Sequence, residues 1–416
     1  MRERVSTLSL FALGVNGIVG VGIFFTPNLV AGLVPGAAGS LVFLLTAALL
    51  LPIAVTFSVL GRALPVDGGP YVWARAAFGD GAAFAVGWVA AVSALLSTAA
   101  VVAGLRDHLA PALGIGVGPF RAVFAGGVTL LLASVASLGL RPSAFTWDAL
   151  TLLKLLPLLL LLVLAFSTST PSAAPLNPVV SSFSSWQRAA LLAMFSLQGF
   201  EAVPVLAGSA RRAHGGLPLA TIGSLLFAAA LYVTIHLGCA RALPDLPQHQ
   251  APLADAARAL GGGAAGSLVS SGTLLSALGT AFGMVVVTPR YVAALGGEAG
   301  FGDWLGREDA RGVPRLALGL TALVVAVLSS VQALGSLFAL SSAAVLAQYA
   351  MAIASLLRLS VRGKAPRWAV VPACLGVLTL GLLVKAVELT ELWILSGALL
   401  LGGVLALARA RTRSLP

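Results

Sequence analysis

Apolar residues come in long blocks along this chain, without the strict alternation of half-buried strands. Twelve blocks stand out, roughly 8–32, 38–60, 83–104, 120–139, 144–166, 187–207, 219–243, 266–294, 314–332, 334–357, 368–386 and 391–410. Each is close to or above the ~20 apolar residues that a helix needs to cross a bilayer. The pattern predicts an all-α polytopic membrane protein with twelve transmembrane helices. The first block is too long for a cleaved signal peptide, lacks an Ala-x-Ala exit, and holds Asn16 beside a glycine cluster, so it is expected to stay as a span. The connections are short. Residues 61–82 form a Gly- and Pro-rich loop with an amphipathic stretch at Tyr71–Phe78. Residues 167–186 are polar, 244–263 read as a short helix closed by glycines, and 295–313 are charged. None is long enough for a soluble domain, so any chemistry must lie among the helices.

Composition narrows the class. Of 416 residues, 59% are hydrophobic and 9% are charged, against about 25% charged in soluble domains. That excludes a soluble enzyme, a disordered chain and a secreted disulfide scaffold. The net charge of +11 does not point to nucleic acid, because the charges lie between apolar blocks. With the N-terminus placed in the cytoplasm, Lys and Arg fall three to one on the cytoplasmic side, and only Lys154 lies deep in a block. The positive-inside rule therefore predicts both termini in the cytoplasm. Cys239 and Cys374 sit inside apolar blocks, which argues against a disulfide framework and a metal cluster. No Gly-x-x-x-x-Gly-Lys-[Ser/Thr] motif is present, so ATP-driven pumping is not expected. Neither a cofactor nor a metal is anticipated.

Two blocks carry residues that a membrane helix tolerates poorly. The first reads Gly14-Val15-Asn16-Gly17-Ile18-Val19-Gly20-Val21-Gly22-Ile23-Phe24. Glycine costs ~1 kcal/mol against alanine inside a helix, so this clustering predicts an unwound segment. Close helix packing is the competing reading: Gly14, Gly17 and Gly20 recur every three residues, but Gly20-x-Gly22 faces two ways. The sixth block reads Phe195-Ser196-Leu197-Gln198-Gly199-Phe200-Glu201-Ala202-Val203-Pro204, with a glutamate at membrane depth. Such a residue is a functional candidate by default. Blocks one and six each begin a set of five. Matched interruptions of this kind point to inverted repeats around a central site. An unwound helix exposes N–H groups that attract an anion and carbonyls that attract an ammonium. A zwitterion finds both there without a charged side chain.

These residues also carry a resemblance. Gly20-Val21-Gly22-Ile23-Phe24, Pro65-Val66-Asp67-Gly68-Gly69-Pro70-Tyr71-Val72-Trp73 with Ala77-Phe78-Gly79, Gly199-Phe200-Glu201, and Pro289-Arg290 with Val313-Pro314 resemble motifs of the amino acid–polyamine–organocation permeases. The likeness covers most of the chain and weakens after about residue 330. It implies a five-plus-five inverted-repeat transporter fold with helices 1 and 6 unwound at mid-membrane. Residues 1–166 would form the first repeat, 167–358 the second, and 359–416 the last two helices. It implies alternating access and an α-amino acid or related amine as substrate. The substrate carboxylate would meet the backbone of Gly20, Val21 and Gly22. Its amino group would face carbonyls around Val15, Asn16 and Gly17, and around Phe195, Ser196 and Gly199. Phe195 falls where relatives carry a gating ring. Lys154 falls where sodium-independent members carry a lysine in place of a sodium ion, so Lys154 and Glu201 are the proton-coupling candidates.

Two departures qualify the likeness. Residues 208–218, GSARRAHGGLP, lack the acidic residue and Asn-Pro usual there. Residues 105–119 contain no Cys, so no disulfide-linked heavy chain is expected. The stretch Pro52-Ile53-Ala54 through Leu60-Gly61-Arg62 is similar to the family's short bacterial exporters. The expected function is thus a sodium-independent, proton-coupled or exchanging transporter of a neutral amino acid. It is expected as a monomer or homodimer in a bacterial inner membrane. An exporter, or an antiporter of polyamines or cationic amino acids, is the alternative. An intramembrane enzyme lacks paired catalytic groups, and a channel lacks a visible filter.

Overall fold

The computed structural model describes residues 6–66, 68–112, 114, 119–139, 144–167, 181–205, 207–209, 213–299 and 303–413. Arg2, Arg4, Asp67, Arg141, Arg211, Arg212 and the 168–180 part of the polar connection lie outside these residues. The described chain is 85% helix without strands. In order, its α-helices are α1 (Thr7–Ile18), α2 (Gly22–Ala31), α3 (Ala38–Ala63), α4 (Pro70–Phe78), α5 (Asp80–Ala112), α6 (Pro119–Ala136), α7 (Ala144–Ser167), α8 (Phe183–Leu197), α9 (Ala202–Val205), α10 (Ala213–Ala242), α11 (Pro252–Ala299), α12 (Asp303–Gly306), α13 (Arg315–Val331), α14 (Leu334–Val361), α15 (Val370–Val384) and α16 (Leu389–Arg413).

Among the described residues, six helices are long and apolar enough to cross a membrane, and α1 with α2 makes a seventh if that bent pair is one span. Shorter apolar helices cover Ala122–Ala136, Leu153–Ser167, Arg315–Val331 and Leu389–Val404. The outer surface suits lipid: Leu44, Leu130, Leu159, Leu323, Leu378 and Leu400 all stand exposed. Hydroxyls inside the helices are satisfied locally. Thr46, Ser58, Thr129, Thr273 and Ser355 each donate to the carbonyl four residues back, which spares each hydroxyl a lost bond in an apolar medium.

Local chemistry sets where helices start and stop. Ser6 and Ser182 cap α1 and α8, each accepting from the N–H three residues on at 3.1 Å. Pro70 opens α4, and Gly69 and Gly79 flank it at φ 54° and 90°. Gly262, at φ 80°, kinks α11 after its first turns, where the sequence predicts a short helix closed by glycines. In the bundle, α10 packs against both α1 and α3, while α5 lies against α11 and α14. The largest wholly buried rings (Phe24, Phe25, Phe43, Phe57, Trp73, Phe200, Tyr232, Phe338 and Tyr349) come from the second interruption and the helices around both. Arg188 of α8 forks onto Glu391 of α16 at 2.6 and 2.7 Å, and it also reaches the Ala386 carbonyl at 3.2 Å. Glu391 is buried, so this tie fixes the start of α8 against the last helix.

Ahead of the kink, His249 bridges two carboxylates, with Nδ1 2.9 Å from Asp255 and Nε2 3.1 Å from Asp245. Arg258 holds Asp255 at 2.7 Å. Partial burial works against the charged ring, but the two carboxylates outweigh it and raise its pKa above the ordinary histidine value. A raised folded-state pKa gives stability that is present below the unfolded value and lost as pH climbs through the folded one. Amide protection over residues 245–258, corrected for intrinsic exchange, should therefore fall between about pH 6 and about pH 8. His249→Gln should show no such step. Equal protection at both pH values in the wild type would contradict the assignment.

Candidate functional site

The first interruption follows directly from its glycines. Helix α1 ends at Ile18, and Val19 donates to the Val15 carbonyl at 2.7 Å. Gly20 then turns tightly, donating to the Ile18 carbonyl at 2.7 Å, and α2 resumes at Gly22 with its axis bent by 49°. Residues 19–21 are out of the helix, which leaves N–H groups at the start of α2 without helical partners. The second interruption is the end of α8. Gln198 is extended at ψ 153°, Gly199 has φ 122°, and a short turn of helix follows from Ala202.

The two interruptions touch through glycine. A Cβ built on Gly199 would lie 2.3 Å from the Gly17 carbonyl carbon and 2.6 Å from the Ile18 nitrogen. A Cβ on Gly17 would meet the Gly199 oxygen at 3.0 Å. A Cβ on Gly22 would lie 2.9 Å from the Ser196 Cα, whereas one on Gly20 would meet only the Ile18 oxygen, at 3.9 Å. Gly14 packs on Ser224 of α10. The cluster therefore holds both packing glycines and a break, and the two readings of the sequence apply to different members.

Polar side chains take up the carbonyls that the break leaves open. Buried Lys154 of α7 donates from Nζ to the Asn16 carbonyl at 2.9 Å. Tyr232 of α10 donates to the Ile18 carbonyl at 2.9 Å. Within α2, Thr26 bonds its own helix at the Gly22 carbonyl, 2.6 Å away, and shares a short hydroxyl contact with Ser196, which joins α2 to α8. At the second break, Glu201 Oε2 accepts from the Gly199 N–H at 2.9 Å and from the Tyr349 hydroxyl at 3.4 Å. Gln198 donates to Ser342 at 3.2 Å. Behind Glu201, Phe57, Trp73, Phe200 and Tyr349 form one aromatic cluster, with ring centroids 5.1–6.2 Å apart. Phe195 stacks on Phe338 of α14 at 4.0 Å and 13°.

A cavity of about 670 Å³ opens beside this junction. Gln198, Gly199 and Glu201 line it, and α5 and α11 supply Ser93, Ser97, Met284, Thr288 and Tyr291 to its wall. Arg75 and Asp80 stand at its mouth as an exposed pair, 2.7 Å apart. Val15, Asn16, Gly17, Gly20, Val21, Gly22, Phe195 and Ser196 do not line it. The site residues named from sequence thus divide. Gly199 and Glu201 face the cavity, and the rest lie behind or beside the glycine contact. Sequence reading missed Gln198, Thr288, Tyr291, Ser342, Tyr349 and Phe338. Ser97 pairs with Ser341 at 2.6 Å and Thr98 with Thr288 at 2.8 Å, contacts that no local pattern encodes. His236 is wholly buried against Gly39 and Phe43 with no standard hydrogen bond to either ring nitrogen.

Known proteins point the same way. A profile of the family described as "Amino acid permease" matches residues 5–394. Cationic amino acid transporter 4 of Mus musculus is 26% identical over 388 residues, covering 88% of this chain and 61% of its own length. The Homo sapiens protein of the same name is 26% identical, covering 72% of this chain and 51% of its own. The chain thus spans between half and two thirds of the length of these two relatives. Branched-chain amino acid permease BcaP of Lactococcus lactis is 25% identical, over 79% of this chain and 76% of its own.

The glycine contact predicts an ordered pair of outcomes. Gly199→Ala places a methyl inside the Gly17 carbonyl and at a positive φ, so it should cost at least the ~1–3 kcal/mol typical of overpacking. Gly20→Ala meets open space and should cost no more than a few tenths, about the helix-to-loop effect of one methyl. Thermal unfolding of the two variants in detergent measures the difference. Equal stability of Gly199→Ala and Gly20→Ala would show that the two breaks do not bear on each other.

Proposed function

We propose that this chain, which belongs to the amino acid permease family, moves a neutral amino acid across the cell membrane as a secondary transporter, by alternating access and independently of sodium. The observation that carries this reading is the meeting of two interrupted helices, through Gly17 and Gly199, beside a cavity that Gly199 lines. Counting the bent pair α1–α2, the interrupted α8–α9 and the four shorter apolar helices as spans brings the six long ones to twelve. On that count the interruptions open successive sets of five, in α1–α7 and α8–α14. This supports the inverted repeat over residues 1–166 and 167–358, with 359–416 as two added helices.

The cavity's mouth carries Arg75 and Asp80, on the connection that the charge bias assigns to the cytoplasm. The Phe195–Phe338 stack lies on the opposite side of the α8 break. Together they support an inward-open state in which Phe195 closes the outer path. In the closed state the substrate carboxylate takes the N–H groups at Gly20, Val21 and Gly22. Asn16 already has its carbonyl on Lys154, so the ammonium of the substrate uses the carbonyls at Gly17 and around Ser196. Release of that Lys154 bond would free the end of α1 to move, which couples the lysine's protonation to the transport cycle. Glu201 plays the matching part at the second break, through the Gly199 N–H.

A cationic substrate is the second reading, because Glu201 is a carboxylate on the cavity wall and the mammalian relatives are named as cationic amino acid transporters. Proteoliposome uptake of radiolabelled leucine and of arginine, with and without a pH gradient, separates the two. We expect leucine uptake that is indifferent to sodium and driven by the gradient; arginine uptake alone would favour the second reading.

Two variants test the coupling. Lys154→Ala removes the ammonium from the Asn16 carbonyl and should abolish gradient-driven uptake while the protein remains folded. Glu201→Gln keeps the shape and should still bind substrate, with a flattened pH profile from about pH 5 to about pH 8. Glu201→Ala should be worse, since it strips a buried N–H of its partner at a cost of ~1–3 kcal/mol. Wild-type pH dependence in both Lys154→Ala and Glu201→Gln would leave neither residue a coupling role.

A further inference from the structure

A second cavity, of about 400 Å³, shares no lining residue with the first and lies where α3 ends and the α14–α15 turn begins. Val59, Arg62 and Ala63 line one wall, and Lys364, Pro366 and Trp368 the other. Helices α3 and α15 run antiparallel here. Thr379 bonds the Leu49 carbonyl at 2.8 Å, and a Cβ on Gly376 would lie 3.7 Å from Ile53, so residues 59–63 meet 363–368 at the end of the pair. The lining holds two cations and no carboxylate. Neither the Arg62 nor the Lys364 side chain has a hydrogen-bond or ion-pair partner among the described residues.

What continues from the cleft is apolar. Trp368 is 56% exposed, and below it Val371, Leu375, Leu378 and Leu382 are exposed by 65, 48, 64 and 38%. Their spacing of three and four places them on one face of α15, running away from the cations. An apolar strip about the length of an acyl chain therefore ends, beside a tryptophan, at two positive charges without a partner among the described residues. A tryptophan at such a boundary suits the headgroup level of a membrane.

We propose that this cleft holds the phosphate of an anionic glycerophospholipid, whose acyl chains lie along the exposed face of α15. The guanidinium of Arg62 supplies a fork for two phosphate oxygens, and Lys364 adds a point charge. Trp368 packs against the glycerol region. A zwitterionic headgroup fits worse, because its ammonium would meet two unneutralised cations. The inference rests on the membrane placement of the helices and is independent of the substrate and coupling proposed above.

Native mass spectrometry of the full chain, released from detergent with mixed phosphatidylglycerol and phosphatidylcholine, tests it. The wild type should retain phosphatidylglycerol preferentially. Each surface cation is worth about 1 kcal/mol toward an anionic lipid, or about fivefold, so Arg62→Gln with Lys364→Gln should lose roughly 30-fold of that preference. A charge-matched control, Arg307→Gln with Arg311→Gln, removes two exposed cations elsewhere and should keep it. Unchanged preference in the Arg62/Lys364 variant would overturn the proposal. So would displacement of the lipid from the wild type by millimolar glycerol phosphate, which would make the cleft a site for a soluble phosphate.

Discussion

At Gly17 and Gly199 two backbones meet with no side chain between them, and most of what surrounds them follows from that contact. Gly199 can reach the Gly17 carbonyl only because it has no Cβ and sits at φ 122°. Two helix ends brought this close cannot both continue, since continuing either would drive side chains into the other's backbone. The breaks at 19–21 and 198–201 are thus one arrangement seen from two helices. The exposed N–H and carbonyl groups of both are gathered into one place, beside the large cavity.

Gathering unpaired backbone in an apolar bundle is costly unless each group finds a partner. The partners are drawn from across the fold. Lys154 comes from α7 and Tyr232 from α10, while Glu201 comes from the second break itself. Most of these are single bonds from a movable side chain to a backbone atom, so each can be exchanged for a bond to a bound molecule. A helix end satisfied in this way is stable enough to exist without a ligand and loose enough to bind one. The bonds that do not face the site are of another kind. The Arg188–Glu391 fork, at the start of α8, holds its helix by two charge-assisted bonds to one carboxylate.

The first interruption was legible in the sequence because glycine is expensive in a helix, and four in nine residues need a reason. Spacing alone did not say which glycine packs and which unwinds. Gly14 packs against Ser224 and Gly17 against Gly199, whereas Gly20 turns in open space, and only the fold separates them. Lys154 and Glu201 stood out because a charge in an apolar block is rare. Of the cavity wall, the hydroxyls of Ser93 and Ser97 were legible but their direction was not. Thr98 and Thr288 pair with each other across helices, while Thr46 bonds only its own, yet all three are single threonines in apolar helices. Tyr349 and Phe338 looked like packing residues, because their roles depend on what a segment more than a hundred and forty residues away brings beside them. The basic cleft at Arg62 and Lys364 was hidden for the same reason, since its two cations lie three hundred residues apart in the chain.

The central claim is that the backbone of two interrupted helices recognises the amino and carboxyl groups, whatever the side chain. Calorimetric titration of the purified protein with leucine, leucinamide and N-acetylleucine addresses it directly. Leucinamide removes the carboxylate that the α2 N-terminus would hold, and acetylation removes the ammonium that the carbonyls would hold. The account predicts that leucine binds and that both analogues lose at least about tenfold in affinity, the 1.4 kcal/mol expected for one charge-assisted bond. Binding of either analogue as tightly as leucine would contradict it.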